Sequence, residues 1–165
     1  MATALSLQHY LAQQDADYDV LSHAPTMSSP RTAEECHVSA SCLAKGVVMK
    51  GGGSYILAVL PASHHIEIEQ LGRRLSRPVS LATEDEIETL FPDCVRGAVP
   101  PIGAAYGIAT IVDDSIAEKP DIYFEGGDHT TLVHMAGSTF ARLMGEAPHA
   151  RFSNQDGWLN GKDYM

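Results

Sequence analysis

The sequence predicts a mixed α/β domain with about six strands, and three observations carry that prediction. Segments with helical apolar spacing alternate with short apolar runs of strand length; a triple glycine joins two of those runs; and turn-rich connections separate the segments without a long polar linker. At 165 residues the chain can bury roughly two thirds of its unfolded surface around one core. One domain is expected over residues 1–150, followed by a loosely docked tail, 151–165, where Asn, Asp and Gly replace the apolar periodicity and Trp158 is the anchor.

Taken in order, Leu7, Tyr10 and Leu11 sit on one face of a first helix that the acidic stretch from Asp15 to Asp17 ends. The segment YDVLSH reads as a short strand. Thr32 and Glu35 form a capping-box pattern for a second helix with Ala33, Cys36, His37 and Ala40 on one face. CLAKGVVMK and SYILAVLP, joined by Gly51, Gly52 and Gly53, predict a hairpin of two largely buried strands. Ile68, Leu71 and Leu75 mark a helix on HIEIEQLGRRL, and Thr83 with Glu86 caps another that turns Ile87, Leu90 and Phe91 inward. AAYGIATIV, apolar on both faces and closed by Asp113 and Asp114, predicts a central strand; DIYFE and TTLVHM supply two more. A last helix runs from Ser138 to Met144, with Gly145 after it.

The totals exclude several classes of function. No apolar run approaches the roughly 20 residues that span a bilayer, and Gln8, His9, Gln13 and Gln14 interrupt any signal-peptide core, so a cytoplasmic protein is expected. A net charge of -10 repels phosphate at long range, so a nucleic-acid partner has to be held locally. Arg73, Arg74 and Arg77 are either a local basic patch or a solvated helix face. Cys36, Cys42 and Cys94 lack paired spacing and predict buried thiols, neither disulfides nor a zinc site. His129 and His134 are five apart, and His64 and His65 are adjacent; neither spacing suits a metal, and no cofactor is implied.

Three features carry chemistry. Lys45 lies inside an apolar strand with Leu43 and Val47 on its face, so it either snorkels to solvent or serves a cleft. The run GAVPPIG, from Gly97 to Gly103, combines residues that let a backbone approach a ligand with prolines that stiffen it; it is a tight turn or a rigid wall presenting the N–H groups of Gly97, Ala98 and Val99 to a carbonyl or a water. In EGGDH, Asp128 and His129 are a turn or an acid/base pair, and His23 at the end of the second segment is similarly open.

In this order, VLSH, LAKGVVMKGGGSYILAVLP, RGAVPPIGAAYGI and FEGGDHTTLVHMAGSTFARLM resemble the landmarks of the YbaK/EbsC family, the free-standing relatives of the editing domain inserted in prolyl-tRNA synthetase. The likeness covers the chain from about Leu7 to Met144. It implies a mixed, partly barrel-like sheet of six to seven strands surrounded by helices, and hydrolysis of amino acids wrongly esterified to tRNA. Lys45 matches the family's lysine, and Gly97 and Pro101 match the ends of its GxxxP loop; these three are the expected catalytic positions. His23, Gly46, Ala98, Val99, Pro100, Ile102, Gly103, Asp128 and His129 are expected to line the substrate site. Gly46 departs from the hydroxyl or amide residue that many relatives carry there.

The implied mechanism is attack of a water on the aminoacyl ester, with a ribose hydroxyl of the substrate as base, Lys45 holding the terminus and the loop placing the carbonyl. The implied partner is the 3′ terminus of a mischarged tRNA, tRNA-Pro or a related one bearing Ala, Ser, Thr or Cys, delivered by prolyl-tRNA synthetase or an elongation factor. The rival expectation is a non-catalytic aminoacyl- or nucleotide-binding module in the same cleft; a hydrolase built on a metal or thiol is the third.

Overall fold

The computed structural model describes residues 3–25 and 29–155; Trp158, the expected tail anchor, lies outside the described residues. Helix α1 (Leu5–Gln13) buries Leu7 and Leu11 completely and leads into β1 (Asp19–Ser22). Helix α2 (Ser29–Glu35) begins three residues before the expected cap, so Thr32 is inside the helix. Pro30 is tolerated there because the first helical turn needs no backbone donor. The helix also stops sooner than its apolar spacing suggests, since His37 sits at φ +56°. Freed from capping, Thr32 points its hydroxyl at Glu125.

Strands β2 (Ala44–Gly51) and β3 (Ser54–Pro61) form the expected hairpin. Gly52 and Gly53 turn it, both at positive φ, as a turn matched to right-handed strand twist requires. Then come β4 (His65–Ile66), α3 (Ile68–Leu75), β5 (Ser80–Leu81) and α4 (Glu84–Leu90). The capping box on α4 is complete, with Glu86 N–H donating to Thr83 Oγ1 at 3.2 Å and Thr83 N–H donating to Glu86 Oε1 at 2.8 Å. The expected strand from Ala104 is shorter than its apolar run. Gly103–Tyr106 coils into a 3-10 turn, because a Cβ at Gly103 would lie 2.6 Å from the Ile108 carbonyl and only glycine closes the loop so tightly. The strand itself, β6 (Ala109–Asp113), starts after it, followed by α5 (Asp114–Ala117), β7 (Asp121–Glu125), β8 (Thr131–Ala136), α6 (Gly137–Met144), β9 (His149–Ala150) and β10 (Ser153–Asn154).

A five-stranded mixed sheet has the order β5-β2-β3-β6-β9, with β6 parallel to both neighbours. A three-stranded antiparallel sheet, β1-β8-β7, meets it where Leu43 bridges Tyr123. The sheets lean together there and do not close into a barrel. Strand β3 is apolar throughout because both its faces are buried: Leu57 and Val59 enter a core with Leu7, Leu11, Phe124 and Phe140, while Ile56, Ala58 and Leu60 enter a second with Met49, Leu71 and Phe152. Of residues 151–155, Phe152 belongs to that second core. Phe152 is fully buried, its N–H donates to Asp113 Oδ1 at 2.8 Å, and β10 pairs with β4.

Candidate functional site

Strand β2 carries Lys45 and Gly46 on opposite faces. Lys45 shares its face with Val47 and Met49, toward the second core, and is half-buried. His64 stands close by: burial holds its imidazole below the ordinary value, Asp113 opposes, and the Lys45 ammonium adds to the depression. Gly46 faces the other way. A Cβ there would lie 2.9 Å from Leu57 Cδ1 and 3.3 Å from Pro101 Cα, so the glycine lets the Pro101 loop rest on the strand.

That loop is anchored at one end and open at the other. Pro100, Pro101, Ile102 and Gly103 are buried, and Ala98 is fully so, whereas Gly97 is exposed and Val99 half-buried. The Ala98 N–H, expected to face a ligand, instead donates to the Val95 carbonyl at 3.0 Å. The amides of Gly97 and Val99 have no hydrogen-bond partner among the described residues. Gly97 lies at φ +84°, in the left-handed region. Helix α4 steadies the residue before it, since Arg96 donates to Glu88 Oε1 at 2.8 Å and lies 3.7 Å from Glu84.

The turn between β7 and β8 supplies the facing wall. Asp128 is buried; burial would raise its carboxyl, but donors from Thr130 N–H, Thr131 N–H and Thr131 Oγ1 outweigh it and hold the carboxyl low. Asp128 is thus a turn residue with both oxygens engaged. It fixes His129 at φ +63°, and His129 Nε2–H donates to the Arg96 carbonyl. The ring lies against Gly97, whose Cβ position is 3.2 Å from His129 Cε1 and Nε2. Two motifs more than thirty residues apart in sequence therefore meet, and a neutral His129 keeps its basic lone pair on Nδ1.

Behind that turn lies a cluster the sequence reading missed. Glu125, at the end of β7, is buried and accepts from Thr32 Oγ1 at 2.8 Å; His23, whose N–H donates to the Thr130 carbonyl at 2.8 Å, brings Nε2 to 3.4 Å from Glu125 Oε1. In DIYFE, Ile122 and Phe124 face one core, so alternation puts Glu125 with Asp121 and Tyr123 on the other face, which the sequence alone reads as solvent-facing. The surroundings of Gly97 are thus rich in titratable groups, and Lys45 stands across the β2 backbone from them. Cys94 is unsuited to nucleophilic attack, as burial pushes its thiol up to about 12. No group of three His, Cys, Asp or Glu able to hold a metal occurs among the described residues, and no helix among them is long and apolar enough to cross a membrane. Arg73 is exposed and lies 4.0 Å from Glu69, as on a solvated helix face.

Solved structures share this architecture. Hypothetical protein APE2540 superposes with a TM-score of 0.80 at 22% identity, covering 90% of this chain and 99% of that one. A candidate trans-editing enzyme for prolyl tRNA synthetase gives 0.79 at 19% identity, over 90% of this chain and 95% of that one. A candidate signal transduction protein from Marinobacter aquaeolei VT8 gives 0.76 at 16% identity, with 92% of this chain matching 31% of that one, so the fold also occurs as a module. No curated protein matches the chain. The family model of the aminoacyl-tRNA editing domain matches residues 23–143, from the buried His23 side chain through the loop at Gly97 to the last turn of α6; the chain belongs to that family.

Proposed function

We propose that this protein is a trans-editing aminoacyl-tRNA deacylase that removes a small amino acid, Ala, Ser, Thr or Cys, from the 3′ end of tRNA-Pro or a related tRNA. The observation that carries the reading is the exposed Gly97 amide, without a partner among the described residues and held in left-handed backbone with the His129 ring behind it. A fixed N–H of this kind stabilises the oxyanion that forms as water adds to an ester carbonyl. The new bond joins the water oxygen to the carbonyl carbon. The water's proton passes to the neighbouring ribose hydroxyl of the substrate, whose own proton moves to the departing ester oxygen as the C–O bond breaks, giving a free amino acid and an uncharged tRNA. An ester requires no protein nucleophile for this, which agrees with the inert Cys94 thiol. Lys45, on the other face of β2, holds a phosphate of the terminus as a compact point charge.

The test is release of amino acid from mischarged tRNA, screened across amino acids with and without prolyl-tRNA synthetase. Lys45→Ala is expected to lower turnover roughly 100- to 1,000-fold with an unchanged melting curve. Full activity in that variant overturns the assignment. Saturable binding without release by the unaltered protein establishes instead the rival reading, a module that holds the aminoacyl end.

A further inference from the structure

At the root of the turn that carries His129, two buried polar atoms have no hydrogen-bond partner among the described residues: Nε2 of His23 and Oε2 of Glu125. The His23 side chain is 1% exposed and that of Glu125 8%. Nδ1 of His23 lies 2.8 Å from the Ala24 carbonyl, which only accepts, so Nδ1 carries a hydrogen. A neutral ring then aims the lone pair of Nε2 at Glu125 Oε1, 3.4 Å away. With Glu125 ionised, lone pairs would face each other away from water, and Oε2 would be a bare buried carboxylate oxygen. An imidazolium beside the carboxylate supplies the missing hydrogen but requires two charges to be desolvated with Thr32 as the carboxylate's other donor. A hydrogen on Oε1 removes the conflict without any charge, because that oxygen accepts from Thr32 at 2.8 Å while donating to Nε2.

We propose that Glu125 is held as the carboxylic acid, hydrogen-bonded to Nε2 of His23, and that this neutral pair positions the His129 ring against Gly97. The connections are short. Glu125 is the last residue of β7 before Gly126–His129, His23 holds the far side of the turn through Thr130, and Thr32 ties Glu125 to α2. Burial pushes the Glu125 carboxyl up, against the influence of Thr32, His23 and His129. The titratable groups around it are His23 at the end of β1, His129 in the turn and Cys36 just past α2. An acid whose folded value is raised above 4.5 binds its proton more tightly when folded. The contribution of Glu125 to stability is therefore greatest below about 4.5 and declines as pH rises from there to the raised value. Glutamine at this position stays neutral and escapes that decline.

The experiment compares melting of the full chain and Glu125→Gln across pH. The Gln variant is expected to gain on the unaltered protein as pH rises above 4.5, ending about 2–4 °C higher. A Gln variant that is less stable at neutral pH, with a deficit that shrinks in acid, indicates an ion pair and overturns the proposal. The role in turnover rests on the deacylase reading, and has its own arm. Glu125→Leu is expected to lower kcat about tenfold with KM within twofold, and Glu125→Gln to restore kcat to within threefold. Equal losses in both variants overturn the positioning role. The Gly97 amide and His129 ring NMR signals should move in the Leu variant and stay in the Gln variant. That readout stands even if no ester is hydrolysed, so it separates failure of this inference from failure of the deacylase reading.

Discussion

Alanine at position 97 would have to hold a backbone at φ +84° and place its Cβ 3.2 Å from two atoms of the His129 ring. The first requirement costs about 1–2 kcal/mol, since the left-handed region brings Cβ against the carbonyl. The second moves the ring or the loop by a few tenths of an ångström, at the amide proposed to meet the oxyanion. Gly97→Ala is therefore expected to unfold at lower denaturant and to lose roughly 10- to 100-fold in kcat, a larger effect than its stability loss explains. Deacylation kinetics at a temperature where the variant is fully folded decide it; unchanged kcat removes Gly97 from the mechanism. The residue-scale chemistry was only partly legible beforehand. Gly97 stood out because glycine beside stiff prolines is unusual, whereas its meeting with His129 depends on a tertiary approach no local pattern encodes. The Ala98 amide, expected to point outward, closes the tight turn from Val95 instead.

Among the elements, α4 reads most directly from sequence and holds the loop in place through Arg96. Its capping residues lie three apart in the chain and need no tertiary help, so Thr83 and Glu86 announced it correctly. Glu86 does more than cap, for it also accepts from Tyr55 Oη at 2.5 Å and Lys50 Nζ at 3.0 Å, joining α4 to the hairpin. Those donors, the Thr83 N–H foremost, hold its carboxyl down to about 2. The sign follows from the lowered value: the link is intact above the ordinary 4.5 and is lost as pH falls toward about 2. Melting of the unaltered protein against Glu86→Gln should show a constant advantage at neutral pH that vanishes across that acid interval. An advantage independent of pH down to about 2 would rule the link out. Helix α2 shows the opposite case. The Thr32 and Glu35 pattern suited a cap, but burial of Glu125 created a stronger use for the Thr32 hydroxyl, and the helix began at Ser29. Tertiary demand likewise cut the apolar run at Ala104 into a turn and a strand, because period-two and buried-run signals cannot tell a coiled approach from an extended one.

For the whole molecule, the fold class was legible because alternation, hairpin glycines and capping act locally. The closing of the sheet was not, since it depends on how two sheets meet at Leu43 and Tyr123, and they stay open. The charge of the whole chain makes a further demand on function. At -10 it repels a polyanion over about a Debye length, roughly 8 Å at physiological salt, so tRNA cannot be gathered by a general basic surface. The one arginine cluster noted in the sequence is partly spent on neighbours, with Arg73 near Glu69 on an exposed helix face. If Lys45 is the main contact to a single-stranded 3′ end, one or two phosphates are neutralised on binding. The dependence of log KM on log salt should then have a slope of only about 0.7 to 1.4. Measured KM for mischarged tRNA between low and physiological salt tests this, and Lys45→Ala should flatten the slope by about 0.7. A slope above about 4 would mean an extended basic interface and would overturn the single-contact picture. A shallow slope also means that the tRNA body contributes little, so that prolyl-tRNA synthetase or an elongation factor, added to the assay, should lower KM without changing kcat.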